Sequence, residues 1–229
     1  MSSLLSSPLL LRSRSRASRG ARGGFTLIEL LAVVVIVGIL MIYLLPKIPA
    51  AFDATKVTAC KNNMRNIYQG LMQYHAKYQR LPTDPGVRFF TALITEEVWE
   101  NSETNAKTLT CPGVEVGALG HLAGLEPSQW YADPETIDGS SSTYAGRDIT
   151  EHPIRRFPGK NASETALVAD DNDGGENHDT ATVVLFADGS AMTFEIVEER
   201  KKGNVGPDEP YIIVGPESPI EELSKLSLD

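Results

Sequence analysis

The sequence predicts an α+β fold in which one long N-terminal helix packs on a small antiparallel β-sheet. Three observations predict it. An apolar block covers Phe25–Leu45, a helical apolar pattern covers Val57–Tyr78, and two strand-like segments, Ala181–Ala187 and Ala191–Val197, flank a tight-turn sequence. Helical periodicity early in the chain and hairpin signals late in it are typical of folds that segregate helix from sheet.

The first element is a basic leader followed by a membrane-length segment. Residues 1–24 contain five arginines and no acidic residue, although the whole chain has a formal net charge of −9. This asymmetry predicts a targeting leader rather than a nucleic-acid-binding arm, with its arginines in the cytoplasm. At ~1.5 Å per residue, residues 25–45 just cross a ~30 Å hydrocarbon core. An uncleaved single-pass anchor is the alternative.

Residues 46–80 are predicted to continue the helix as an amphipathic segment. Pro46 and Pro49 each remove a helical hydrogen-bond donor, which predicts a kink rather than a stop. Beyond them, apolar residues recur at alternating spacings of three and four, which places them on one helix face. The members of this stripe are Val57, Cys60, Met64, Ile67, Leu71, Tyr74 and Tyr78. We expect the helix to end near Gln79.

Residues 81–214 are predicted to form a globular head. Residues 81–140 are rich in turn signals, with one short helix near Phe89–Trp99. Asp188-Gly189-Ser190 is a strong hairpin signal because Asp and Gly tolerate the positive φ of tight turns. A strand is also predicted at Thr165–Ala169, a weaker signal covers Ser142–Ala145, and Tyr211–Val214 is a candidate edge strand. Residues 215–229 are acidic and Pro/Ser-rich, which predicts a mobile tail.

The segment Gly24-Phe25-Thr26-Leu27-Ile28-Glu29 resembles the cleavage and methylation motif of type IV prepilins and of type II secretion pseudopilins. The resemblance implies that prepilin peptidase cleaves after Gly24 and that Phe25 becomes an N-methylated terminus. Glu29 then takes the fifth position of the mature chain, where it acts in assembly. Pro46 matches the helix-disrupting proline of many pilins.

A second resemblance involves the head. Cys60-Lys61-Asn62-Asn63 and Phe186-Ala187-Asp188-Gly189-Ser190 are similar to segments of pilin-like families of planctomycete-type bacteria and of major pseudopilins. It implies an inner-membrane protein with its head in the periplasm, which self-assembles into a filament. The implied partners are prepilin peptidase, an assembly platform protein and minor pilins, with no nucleic acid.

Glu29 has a physical role that does not depend on the resemblance. Removal of the leader exposes a charged amine on Phe25, which the Glu29 carboxylate of a neighbouring subunit can meet in a medium of low dielectric. An unpaired charge there is costly, so the contact would favour subunit addition and register. The alternative is a carboxylate that reaches the membrane surface. In an uncleaved anchor we expect Glu29 to lack a partner.

Cys60 and Cys111 are the only cysteines of the chain. We predict that they form a disulfide, because the part beyond the anchor is expected in an oxidising compartment. Such a bond would pin the irregular segment to the helix and stabilise the head by ~4 kcal/mol in the loop-entropy model. Two buried free thiols are the alternative. Two cysteines with no nearby histidine pair make a poor zinc site.

An acidic cluster between two predicted strands is a possible calcium site. Several oxygen ligands at close spacing beside Gly174-Gly175 can wrap a hard cation, although the order does not follow the EF-hand pattern. A C-terminal calcium loop is also what the resemblance to major pseudopilins implies. A solvated acidic turn is the alternative. The candidate ligands are Asp170, Asp171, Asp173, Glu176 and Asp179.

The sequence predicts a structural subunit and not an enzyme. The four histidines are scattered, and neither a nucleophile elbow, a zinc-protease motif nor a phosphate loop is present. No cofactor is expected to be required. The predicted function is a subunit of a type IV pilus-like filament or a type II secretion pseudopilus. The alternatives are a minor tip pilin that primes assembly or binds a ligand, and a membrane-anchored periplasmic binding or enzymatic domain.

Overall fold

The computed structural model describes residues 25–115, 117, 119–171 and 177–229. The predicted leader, residues 1–24, therefore lies outside the described residues. The chain divides into two compact units, Met1–Pro46 and Lys47–Asp229. In the first, helix α1 (Leu27–Leu44) buries none of its residues. Helix α1 is the first part of a candidate membrane span, and its apolar residues lie on all sides of the helix. This distribution is typical of a helix that packs against lipid or other chains.

The predicted interruption near Pro46 is confirmed. A 3₁₀ turn covers Leu45–Lys47, and helix α2 (Ile48–Tyr78) follows directly. Pro49 lies in the first turn of α2, where the missing N–H costs little because that donor has no intrahelical partner. Proline therefore breaks the α-helical ladder here without ending the helical segment.

The predicted apolar stripe of α2 is confirmed. Its central members are fully buried: Cys60, Met64, Ile67, Leu71 and Tyr74. Val57 and Tyr78 are half-buried at its two ends and pack against the same core. The helix ends at Gln79, which adopts a left-handed conformation and donates its backbone N–H to the His75 carbonyl at 2.8 Å.

The segment after α2 is more helical than its turn signals predict. Helix α3 (Val87–Thr95) forms near the predicted position, and helix α4 (Glu103–Thr108) is an addition that begins at the side-chain cap of Ser102. Gly70 of α2 permits close packing there, because a Cβ at that position would come within 2.6 Å of the side chains of Leu93 and Trp99. Short 3₁₀ turns connect α4 to the sheet. They cover Gly120–Leu122, Pro127–Gln129, Pro134–Thr136 and Gly139–Ser141.

The sheet of the described residues is antiparallel with strand order β4-β3-β2-β1-β5. The predicted hairpin is confirmed: β3 and β4 are joined by a turn in which Gly189 has a φ of +85°. A short helix, α5 (Ile196–Lys202), follows β4. The strands are β1 (Tyr144–Arg147), β2 (Ala166–Asp170), β3 (Ala181–Phe186), β4 (Ala191–Glu195) and β5 (Leu226–Ser227).

Both faces of the central strands are covered. Val183 and Leu185 of β3 pack in the core that α2 and α3 share, whereas Val184 and Phe186 pack in a second core on the other face. Every residue of β2 and β3 is buried. Strands that are buried along their whole length need cover on both faces.

The segment that covers the second face of the sheet differs from two predictions. Tyr211–Val214 is not a strand, and residues 215–229 are not a mobile tail, because β5 in the tail pairs with β1 and takes that sheet edge. Three apolar side chains among the acidic residues of the tail are buried in the second core: Ile220, Leu223 and Leu226. Their burial outweighs the acidic, Pro/Ser-rich composition on which the prediction of mobility rested.

Candidate functional site

The N-terminal end of α1 holds a reciprocal cap. The Thr26 backbone N–H and the Thr26 hydroxyl both donate to Glu29 Oε2 at 2.8 Å, and the Glu29 N–H donates to Thr26 Oγ1 at 3.3 Å. This arrangement satisfies donors that the first helical turn leaves free, and it puts a carboxylate near the positive end of the helix dipole.

The cap corrects the expectation that an uncleaved anchor leaves Glu29 without a partner. Thr26 is that partner, within the same chain. The pattern Thr-x-x-Glu just before an apolar run is a known capping signature, so the sequence carried a signal that the prediction overlooked. Both bonds use Oε2, and a carboxylate can accept further donors on its second oxygen. Of the predicted cleavage pair, Phe25 is exposed and Gly24 lies outside the described residues.

The two cysteines are buried free thiols, so the predicted disulfide is not formed in this structure. The Cys60 thiol donates to Asp170 Oδ1 at 3.2 Å, and Cys111 Sγ lies 3.4 Å from His178 Nε2. Each sulfur therefore contacts a polar partner from the sheet region. The fold does join the irregular segment to α2 at this point, as predicted, but through a four-residue cluster rather than through two sulfurs alone.

The groups of this cluster shift one another's protonation. Burial lowers the pKa of His178, but hydrogen bonds to Asp170 and Cys111 outweigh it and raise that pKa to about 10. Burial, with the hydrogen bond to Cys111, raises the pKa of Cys60. The bond with Cys60 lowers the pKa of Cys111, helped by His178 and opposed by burial. The hydrogen bonds within the cluster therefore oppose the effect of burial on the pKa values of His178 and Cys111.

The acidic residues proposed for calcium lie in different surroundings. The Asp170 carboxylate is part of the cysteine cluster, Asp171 is buried, and Asp179 is exposed. Asp173 and Glu176 lie outside the described residues. The calcium site therefore stays a prediction. Within the described ranges, the four residues whose ligand atoms converge are Cys60, Cys111, Asp170 and His178.

Sequence reasoning missed the role of His178 because its partners are distant along the chain. It lies 67 positions from Cys111, and Cys60 lies 110 positions from Asp170. Metal and catalytic motifs are recognised by short spacings, which this cluster lacks. Only the pairing of β2 with β3 brings Asp170 and His178 together at one end of the sheet.

A family model described as the prokaryotic N-terminal methylation motif matches residues 19–45. The chain thus carries the signature of type IV pilins and pseudopilins, and its long N-terminal helix and α+β fold fit that class. The motif implies processing by prepilin peptidase and assembly into a filament, and with a single N-terminal apolar helix it indicates a membrane-anchored protein. No curated protein and no solved structure matches the chain.

Proposed function

We propose that this protein is a non-enzymatic structural subunit of a type IV pilus-like filament or a type II secretion pseudopilus. The observation that carries the proposal is the exposed apolar surface of α1 directly behind the methylation motif. Its large side chains are open over the whole length of the helix, from Leu27 at 83 % exposure to Leu44 at 57 %. A surface of this kind needs lipid before assembly and the helices of other subunits afterwards.

Glu29 supports the same proposal. Its cap on Thr26 leaves Oε1 able to accept the amine that cleavage would expose on Phe25 of a neighbouring subunit. In the filament core that contact would be charge-assisted and shielded from water, which makes it selective for one register of addition. The carboxylate would thus serve its own helix through one oxygen and the next subunit through the other.

The protein would insert with its arginine-rich leader in the cytoplasm and its head in the periplasm. Prepilin peptidase would cut after Gly24, and the assembly platform protein would add the mature chain to the growing filament. In the described part of the head, the four polar residues whose ligand atoms converge are buried, so they do not form an open active-site cleft. Abundance in the cell would separate a major subunit from a minor tip pilin.

The first experiment measures the intact mass and N-terminal sequence of the membrane-extracted protein, with and without co-expressed prepilin peptidase. We expect a chain that begins at Phe25 and carries one additional methyl group only when the peptidase is present. A chain that keeps residues 1–24 beside active peptidase would overturn the proposal and favour a membrane-tethered domain.

The second experiment compares filament yield for Glu29→Gln and for the matched control Glu151→Gln, which alters an exposed carboxylate of the head. We expect cleavage to stay normal in both, with filament yield reduced about tenfold or more in Glu29→Gln alone, because the neighbouring amine loses its counter-charge. Equal filament yields from the two variants would contradict the assembly role.

A further inference from the structure

The described part of the head contains one convergence of side chains that the filament function does not use. Cys60 comes from α2, Cys111 from the segment after α4, Asp170 from the end of β2, and His178 from just before β3. One ligand atom from each of the four lies within 4.8 Å of every other. Elements from four separate parts of the chain therefore meet at a single point.

The separations that join three pairs of these residues are close to those around a tetrahedral ion. The separations are 3.2 Å from Cys60 Sγ to Asp170 Oδ1, 3.4 Å from Cys111 Sγ to His178 Nε2, and 3.3 Å from His178 Nε2 to Asp170 Oδ2. Zinc bonds of about 2.0–2.3 Å place tetrahedral ligand atoms roughly 3.3–3.8 Å apart. Since no separation exceeds 4.8 Å, side-chain shifts of about 1 Å or less would close the cluster around an ion.

We propose that Cys60, Cys111, Asp170 and His178 bind one zinc ion as a structural site. Two sulfurs, an imidazole and a carboxylate form a donor set that suits this borderline-soft ion better than calcium or magnesium, which take oxygen. The exposure of all four residues is 2 % or less. Four protein ligands, each almost fully buried, make the site structural rather than catalytic.

The surroundings of the imidazole support this assignment. His178 Nδ1 is buried, has no hydrogen bond to any described residue, and lies 3.6 Å from Asp53 Oδ1. Asp53 is itself held by the Asp179 N–H at 3.2 Å and the Thr180 hydroxyl at 2.7 Å. In zinc sites, a histidine that binds the ion through one ring nitrogen usually contacts a carboxylate through the other. The carboxylate orients the ring and raises its basicity.

The sulfur of Cys111 has a comparable outer contact. The Gly113 backbone N–H donates to Cys111 Sγ at 3.2 Å, which would stabilise a thiolate. Gly113 is required for this turn, because a Cβ there would lie 2.2 Å from the Asn177 carbonyl oxygen. The turn that follows Cys111 is therefore shaped to support the sulfur, as the Asp53 contact supports the imidazole.

The zinc ion would link α2 to the segment after α4 and to the ends of β2 and β3. This is the connection that the sequence assigns to a disulfide, made instead by a metal. It would also protect both thiols, because a zinc-bound thiolate is shielded from oxidation by its bond to the ion. None of the four ligands lies in the leader or in α1, so removal of the leader leaves the ligand set unchanged.

The test uses the full-length chain, purified in detergent from zinc-supplemented cells. We expect one zinc ion per chain by elemental analysis, and two thiols that alkylate only after denaturation with a chelator. After exchange into cobalt(II), we expect the absorption of a tetrahedral ion with thiolate ligands. Absence of zinc, with a mass two daltons lower from a Cys60–Cys111 disulfide, would overturn the proposal. Absence of zinc with two free thiols would overturn it equally.

Variants then assign the ligands. His178→Gln and Cys111→Ser should lose the bound zinc, whereas His152→Gln, the same exchange away from the cluster, should keep it. Asp53→Asn leaves all four ligands in place and should weaken zinc affinity about 10- to 100-fold. Zinc retained at full affinity in His178→Gln would contradict the ligand set. If a variant fails to fold, the zinc content and cobalt spectrum of the unaltered chain still decide the proposal.

Discussion

Helices α1 and α2 follow each other along the chain but differ in how their apolar residues are buried. None of the residues of α1 is buried, whereas α2 buries a continuous stripe from Cys60 to Tyr74. The apolar residues of α1 surround the helix, and those of α2 occupy one face. Helix α1 therefore needs an apolar environment outside the chain, whereas the apolar face of α2 packs against the head. The distribution of apolar residues around a helix, and not only their number, determines whether it packs within its own chain or against lipid and other subunits.

The largest expected effect comes from removing α1 and keeping α2 with the head. A fragment of residues 47–229 keeps the whole head unit. We expect it to be monomeric without detergent and to unfold cooperatively, whereas the full chain should fractionate with membranes. Size-exclusion chromatography and thermal unfolding measure this. A fragment that aggregates would mean that α1 also stabilises the head.

The next largest effect concerns the stripe of α2. Leu71→Ala should reduce the free energy of unfolding by about 2–5 kcal/mol, because Leu71 is fully buried in the core. Its neighbour Met72 is 37 % exposed, and Met72→Ala should change it by no more than about 0.5 kcal/mol. Denaturant unfolding of both variants checks this. Membrane insertion should be normal in both, since α1 is unchanged.

A somewhat smaller effect is expected for the C-terminal cover of the sheet. Leu226→Ala should cost about 2–3 kcal/mol, near the low end for a buried leucine because a chain end can relax around the cavity. Glu217→Ala, in the exposed part of the same segment, serves as the control. Equal stabilities of the two variants would support a mobile tail instead.

The cap on α1 should show a moderate effect. Thr26→Val removes the hydroxyl from the contact with Glu29. Loss of an N-cap side chain costs about 1 kcal/mol, which is about fivefold in an equilibrium, so we expect filament yield to fall by about that factor. Thr26→Ser keeps the hydroxyl and should assemble like the unaltered chain. Normal yield from Thr26→Val would show that the cap is not needed in the filament.

The smallest expected effect is that of calcium on the head. If the acidic loop binds calcium with an affinity near the added concentration, the stabilisation is about 1 kcal/mol or less. Glu176→Gln should abolish it, and Glu164→Gln should not. Thermal unfolding with and without millimolar calcium measures the difference. No shift in the unaltered chain would leave the acidic loop a solvated turn.

Much of this fold could be predicted because its signals are local. The stripe of α2, its end at Gln79 and the hairpin at Gly189 follow from spacing and turn chemistry within a few residues. The cap of Thr26 on Glu29 was equally readable, as a four-residue pattern. The tail was misjudged because its few apolar residues are separated by acidic ones, and composition hid their burial.

The sequence by itself determined the membrane-length helix, its processing motif and the class of protein, because each depends on neighbouring residues and on their contact with lipid or water. Only the tertiary structure decided the buried cluster, because strand pairing brings Asp170 and His178 to the sulfurs of Cys60 and Cys111. It also decided what covers the second face of the sheet. No local pattern encodes a contact between residues that are a hundred positions apart, whereas packing of the core determines it.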